Sequence, residues 1–130
     1  MAAQDDAIRP GEVRATTDPA TAPPDAGIVF IGRIRSPWKT RADCPRNIAA
    51  ARERAAGAEL EIDPAWRQGL TGLSAGNHLI AIYWMNEAPR DLVIQKPHRR
   101  AEPTGVFSLR SPARPNPVAL ATVEIIAIDQ

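Results

Sequence analysis

The segment 110–117, reading RSPARPNP, carries the residue types best suited to bind an anionic ligand. Each of its prolines fixes φ and lacks a backbone donor, so a rigid loop is predicted that directs Arg110, Arg114 and Asn116. Two guanidinium groups held in fixed directions suit a carboxylate, a phosphate or a stacked base. The alternative is a proline-rich connector whose arginines are simply solvated.

A second basic segment, residues 36–47, reads SPWKTRADCPRN. Trp38 offers an aromatic face beside the cations Lys39 and Arg41, a combination that suits nucleic acid. The alternative is that Trp38 packs on the core while the charged side chains are solvated. Both interpretations stay open at the level of local chemistry.

Several classes of chemistry find no support in the sequence. Cys44 is the single cysteine and there are two histidines, so neither a disulfide nor a metal-site spacing is present, and a reducing cytoplasm fits. His78 lies in the most apolar stretch and is expected to be a hydrogen-bonded core group. There is no phosphate-binding glycine motif, and no residue is identified as a catalytic base. The longest apolar run, residues 79–85, is too short to span a membrane.

The elements that must position these residues are predicted to be short strands. Residues 1–26 lack hydrophobic periodicity and are predicted to be a disordered leader, followed by one domain over 27–130. The expected fold is all-β, a small β-barrel with Pro-rich loops. One short helix is expected over 48–56. The strands are predicted at 28–35, 58–62, 77–85 (the central one), 92–94, 105–109 and 118–128.

Charge is unevenly distributed along the chain. Residues 1–25 hold five of the 15 acidic residues and two of the 16 basic ones, which leaves the remainder positively charged. This excess is mild, so it permits a phosphate-bearing partner without demonstrating one.

Several segments together resemble the TsaA-like (TrmO) family. Residues 31–39, IGRIRSPWK, resemble its G-x-I-x-S-P-aromatic-K start, and Pro45-Arg46-Asn47 is similar to its P-R-Q motif. Residues 105–117, GVFSLRSPARPNP, resemble its long and specific G-V-F-A-T-R-S-P-x-R-P-N-P motif. The resemblance covers roughly residues 28–128.

The resemblance implies a β-barrel, homodimeric methyltransferase that uses S-adenosylmethionine (AdoMet). It implies N6-methylation of threonylcarbamoyladenosine at position 37 of tRNA. The implied AdoMet-binding residues are Pro45, Arg46, Asn47, Ile48, Asn86, Glu87, Arg110 and Leu120. The residues expected to contact RNA or to shape the loop are Lys39, Arg41, Arg99, Arg100, Arg114 and Asn116.

The sequence departs from the family pattern at several positions. Asn47 stands for the family's Gln, residues 76–78 stand for its F-S-H, and Met85-Asn86 replace an aromatic-His pair. The family's D-G-T-P segment does not occur before Gln130. These departures leave an alternative: a non-catalytic AdoMet-binding module, or a methyltransferase for another small substrate.

Overall fold

A computed structural model describes residues 8–45, 47–54 and 56–129. The chain divides into two compact units. Unit 1 comprises Met1–Ala26 with Ser74–Gln130, and unit 2 comprises Gly27–Leu73. The elements in chain order are β1 (Val13–Arg14), β2 (Gly32–Arg35), α1 (Ile48–Glu53), β3 (Glu59–Ile62), a 3-10 helix (Pro64–Leu70), β4 (His78–Trp84), β5 (Leu92–Gln95), β6 (Thr104–Gly105), a second 3-10 helix (Val106–Ser108) and β7 (Val118–Glu124).

The strands pair in three antiparallel ladders, so the described fold is mostly β. Unit 1 contains a sheet of order β1-β5-β6 and a β4–β7 pair, and unit 2 contains a β2–β3 pair. In the described part of the chain these ladders do not join into one closed sheet, and the barrel therefore stays a prediction.

The longest ladder joins β4 to β7 in register from His78 opposite Glu124 to Trp84 opposite Val118. Alternate residues of β4 point to opposite faces, and Ile80 and Ile82 on one face are 62% and 72% exposed. Two expectations were wrong. His78 is exposed at the start of the strand, and β4 pairs only with β7 in the described residues, so it is not a central strand.

The core of unit 1 is small and includes the proline-rich loop. Leu92, Val106 and Ala113 are buried, and Pro117 is fully buried. Two residues of the 110–117 loop thus pack inside the unit. Burial of these two residues anchors the loop, and it does not behave as a solvated connector.

The segment 105–109 was predicted to be a strand, but only its first residue pairs in β6. A 3-10 helix then begins at Val106, and the Ser108 hydroxyl donates to the Gly105 carbonyl at 2.8 Å. This local bond competes with strand pairing, as serine side chains commonly do. The turn buries Val106 and delivers the chain to Arg110.

The leader differs from the predicted disorder at residues 9–15, which are paired and bonded; residues 1–7 lie outside the described part. Strand β1 pairs with β5, and the Glu12 carboxylate accepts from the backbone N–H groups of Arg9 and Lys96 at 3.1 and 3.0 Å. Arg14 forms an ion pair with Asp91. We call residues 9–15 the strap. Backbone hydrogen bonds and an ion pair hold it in place, and hydrophobic periodicity in the sequence could not indicate such contacts.

Replacing Gly11 with alanine is expected to lower the free energy of unfolding by about 1–2 kcal/mol, since φ is +85° there. The added Cβ would also lie 2.5 Å from the Pro103 Cγ atom. Urea unfolding measures the effect. Gly27→Ala is the matched control, because a Cβ at Gly27 meets nothing within 4 Å. Equal stability of the two variants would show that the strap is not docked in solution.

Candidate functional site

The 110–117 loop is held from within by Arg114. Its Nε donates to the Ser111 carbonyl at 2.8 Å, and its Nη2 donates to the carbonyls of Leu109 and Val106 at 2.6 and 3.3 Å. A segment with three prolines is short of backbone N–H donors, and here one guanidinium supplies them. These contacts favour the loop-shaping role over direct contact with RNA for Arg114.

The far end of the loop is held by the connection between β4 and β5. The Arg90 Nε donates to the Pro115 carbonyl at 2.6 Å, and the Met85 N–H donates to the Pro117 carbonyl at 2.8 Å. The Arg90 guanidinium also lies over the Trp84 ring, 5.3 Å from its centroid. The loop is therefore fixed at both ends.

Arg110 differs from Arg114 in every respect that bears on ligand binding. Its side chain is exposed and makes no hydrogen bond or ion pair with any residue that the structure describes. It begins the rigid loop, directly after Leu109, whose carbonyl Arg114 fixes. An uncommitted guanidinium on an anchored backbone can bind a carboxylate or phosphate in bidentate fashion.

The other predicted cofactor residues of unit 1 lie on neighbouring elements. Asn86 and Glu87 are exposed in the turn that follows β4, where the Ala88 N–H donates to the Met85 carbonyl at 3.0 Å. Leu120 lies on β7 opposite Ile82 and is 62% exposed. The Met85–Pro117 hydrogen bond joins this turn to the end of the proline-rich loop. Asn116 is exposed on that loop.

The described members of the predicted cofactor set in unit 2, Pro45, Asn47 and Ile48, lie at or next to the start of α1. Arg46 lies outside the described residues. Asn47 is the N-cap of α1, and its Oδ1 accepts from the Ala50 N–H at 2.9 Å. This cap stabilises the short helix, which gives Asn47 a structural role of its own. Pro45 is partly buried, whereas Ile48 is 72% exposed.

The predicted RNA-contacting cations are exposed within their own units. In unit 2, Lys39 and Arg41 lie on the loop after β2, where Trp38 is partly buried and stacks with Arg54 at 5.2 Å. In unit 1, Arg99 and Arg100 lie on the turn after β5. The Trp38 ring thus has a cationic partner within its own unit, and its contact with nucleic acid stays a prediction.

Sequence reasoning missed Arg90 and Trp84. They lie six positions apart on a strand end and a turn, so no periodic pattern links them. One signal was available: a loop with prolines at 112, 115 and 117 needs donors from elsewhere, and a nearby arginine is a natural source.

The described residues contain no group of His, Cys, Asp and Glu side chains suited to a metal ion. No helix in the described part is long and apolar enough to cross a membrane. The hydrogen bond that Arg35 donates to Glu61 at 2.5 Å lowers the pKa of that carboxyl, and this exposed pair belongs to the β2–β3 ladder. The arrangement can bind an anion, but it contains no evident nucleophile.

Comparison with known proteins gives a consistent result. The tRNA-methyltransferase O N-terminal domain family matches residues 33–130. A Rhizobium radiobacter protein named "Probable S-adenosyl-L-methionine-binding protein VirR" is 42% identical over 101 residues, 78% of this chain and 56% of that protein. An Archaeoglobus fulgidus protein named "S-adenosyl-L-methionine-binding protein" is 39% identical over 100 residues, 77% of this chain and 70% of that protein. The chain thus spans little more than half of the first relative.

Proposed function

The chain belongs to the tRNA-methyltransferase O N-terminal domain family, and from that premise we propose that it is an AdoMet-dependent methyltransferase acting on tRNA. The observation that carries the proposal is the uncommitted Arg110 guanidinium on a loop whose backbone is fixed at both ends. A ligand with a carboxylate suits this group, and AdoMet carries one.

The residues of unit 1 fit AdoMet by their chemistry. Arg110 would bind the carboxylate, Asn86 and Glu87 would supply hydrogen-bonding groups, and Leu120 an apolar contact. When bound, AdoMet supplies an activated methyl group, so the protein needs no covalent intermediate. The task of the side chains is then to hold both reactants in line and to exclude water.

The unit 2 residues Pro45, Arg46, Asn47 and Ile48 are proposed to contact AdoMet on the strength of the P-R-Q resemblance. Because the Asn47 Oδ1 already accepts from Ala50, Asn47 would contribute its Nδ2 donor. Glutamine, the family's residue, is one methylene longer and a poorer N-cap. Asn47, in place of the family's glutamine, therefore provides the N-cap of α1 in this chain.

For the substrate we propose N6 of threonylcarbamoyladenosine at position 37 of tRNA. The exposed cations Lys39, Arg41, Arg99 and Arg100 would bind phosphates, and Asn116 would face the anticodon. The test is transfer of labelled methyl from AdoMet to tRNA that carries threonylcarbamoyladenosine, with the same tRNA lacking this modification as control. Label in both tRNAs, or in neither, would contradict the substrate.

Replacing Arg99 and Arg100 together with alanine is expected to weaken tRNA binding and to lower the slope of log affinity against log salt by about 1–2, because two phosphate contacts are lost. Filter binding across a salt series measures both quantities. Arg67→Ala is the matched control, because the Arg67 side chain is also exposed and makes no hydrogen bond or ion pair with described residues. An unchanged slope in the double variant would remove these residues from the RNA-binding surface.

A second candidate is a non-catalytic AdoMet-binding module, or a methyltransferase for another small substrate. The relatives favour it in one respect, since their names describe binding proteins. The described residues also offer no evident base. AdoMet binding without methyl transfer to any tRNA would select this candidate.

The closed barrel, the homodimer and a cytoplasmic location are proposed with the enzyme. Ile80 and Ile82 lie on the same face of β4 and are largely exposed, and a second copy of the chain would cover such an apolar face. This exposure supports the homodimer. Light scattering of the purified chain tests it, and a monomeric mass would contradict it.

A further inference from the structure

We propose that Arg90 is a positioning residue that, through Trp84, fixes the 110–117 loop and thereby the direction of Arg110. The inference rests on the proposed function, because Arg110 is there assigned to the AdoMet carboxylate. Neither the motifs of the sequence nor the comparisons assign a role to Arg90.

Arg90 links two elements that the chain must hold together. Trp84 ends β4 opposite Val118, the first residue of β7, so its ring lies where the loop enters the sheet. The Arg90 guanidinium lies over this ring at 5.3 Å while its Nε donates to the Pro115 carbonyl at 2.6 Å. One side chain therefore bridges the strand end and the loop.

The contact reaches Arg110 through Arg114. The Pro115 carbonyl is one peptide beyond Arg114, so holding it restrains the backbone that carries the Arg114 side chain. Arg114 in turn binds the carbonyls of Leu109 and Ser111, the two residues that flank Arg110. A shift at Pro115 would be transmitted along these bonds to the position of Arg110.

The geometry requires arginine at position 90. A guanidinium is planar, so its face can stack on an indole while an N–H at its edge donates in the same plane. A lysine ammonium keeps the charge but cannot make both contacts at once. Arg90→Lys is therefore expected to lose the positioning effect, whereas Trp84→Phe, which keeps an aromatic face, is expected to retain it.

The first measurement needs no cofactor. Trypsin cleavage of the Arg110–Ser111 bond in the native chain, followed by mass spectrometry, reports how tightly the loop is held. Arg90→Ala and Arg90→Lys are expected to accelerate this cleavage at least about tenfold, because the loop then opens locally more often and exposes the bond to trypsin. Trp84→Phe and the control Arg67→Ala are expected to match the wild type. Unchanged cleavage in Arg90→Ala would overturn the inference even if AdoMet does not bind.

The second measurement is a double-mutant cycle on the AdoMet dissociation constant. Arg90→Ala alone is expected to raise it about tenfold, and to add less than about twofold in an Arg110→Ala background. Effects that multiply would show that Arg90 acts apart from Arg110 and would contradict the inference. If the wild type binds no AdoMet, the proposed function fails, and the cleavage result alone decides the role of Arg90.

Discussion

Replacing Arg114 with alanine is expected to lower the free energy of unfolding by about 2–4 kcal/mol. The change leaves the Ser111 and Leu109 carbonyls without their donor, whereas the Val106 carbonyl keeps its bond from the Leu109 N–H. Each unsatisfied acceptor costs roughly 1–3 kcal/mol before solvent relieves part of it. Urea unfolding followed by fluorescence measures the difference.

Arg110→Ala is the matched control for that experiment, because it removes the same side chain from the same loop. Arg110 is exposed and has no partner among the described residues, so its removal is expected to change stability by less than about 0.5 kcal/mol. Arg114→Lys should lie between the two. Equal stability of Arg114→Ala and Arg110→Ala would show that the guanidinium does not hold the loop.

The same Arg110→Ala variant is expected to show the largest effect on ligand binding. Loss of a charge-assisted, bidentate contact to the AdoMet carboxylate should raise the dissociation constant by about 10- to 100-fold. Calorimetric titration of AdoMet into the folded variant measures it, with Arg67→Ala as the exposed-arginine control. An unchanged affinity would remove Arg110 from the cofactor site.

Read together, the two arginine variants separate folding from binding within one loop. Arg114→Ala is expected to lose stability, whereas Arg110→Ala is expected to lose affinity at nearly full stability. This division follows from their partners, since one guanidinium is committed to backbone carbonyls and the other is open to a ligand.

The strands were predicted well where alternation and β-branched residues run for several positions. Strand β4 was expected at 77–85 and is His78–Trp84, and β7 was expected at 118–128 and is Val118–Glu124. Strands β4 and β7 pair with each other over seven residues. The side-chain pattern in the sequence already indicates both strands. The helix expected at 48–56 begins at Ile48 as predicted and ends at Glu53.

The strap at residues 9–15 and the turn after Gly105 could not be predicted by the same means. Each depends on a few hydrogen bonds to distant or local backbone groups, such as those of Glu12 with Lys96 and of Ser108 with Gly105. Such contacts leave no periodic trace in a sequence. The exposure of His78 likewise depends on which face of β4 is covered, and that is a property of tertiary packing.

At the site, local chemistry identified the loop without distinguishing its two arginines, and the family resemblance assigned Arg110 to AdoMet and Arg114 to RNA contact or loop shaping. Two guanidinium groups four positions apart are equivalent as chemistry, and only the fold decides which one meets unsatisfied carbonyls. The role of Arg90 could not be predicted from the sequence, because its partner Pro115 lies 25 positions away in the chain.

Calorimetric titration of AdoMet into the wild-type protein tests whether this chain binds AdoMet. We expect saturable heat with a stoichiometry of about one AdoMet per chain, strongly reduced in Arg110→Ala. A folded wild-type chain that gives no binding heat at any AdoMet concentration up to about 1 mM would contradict it.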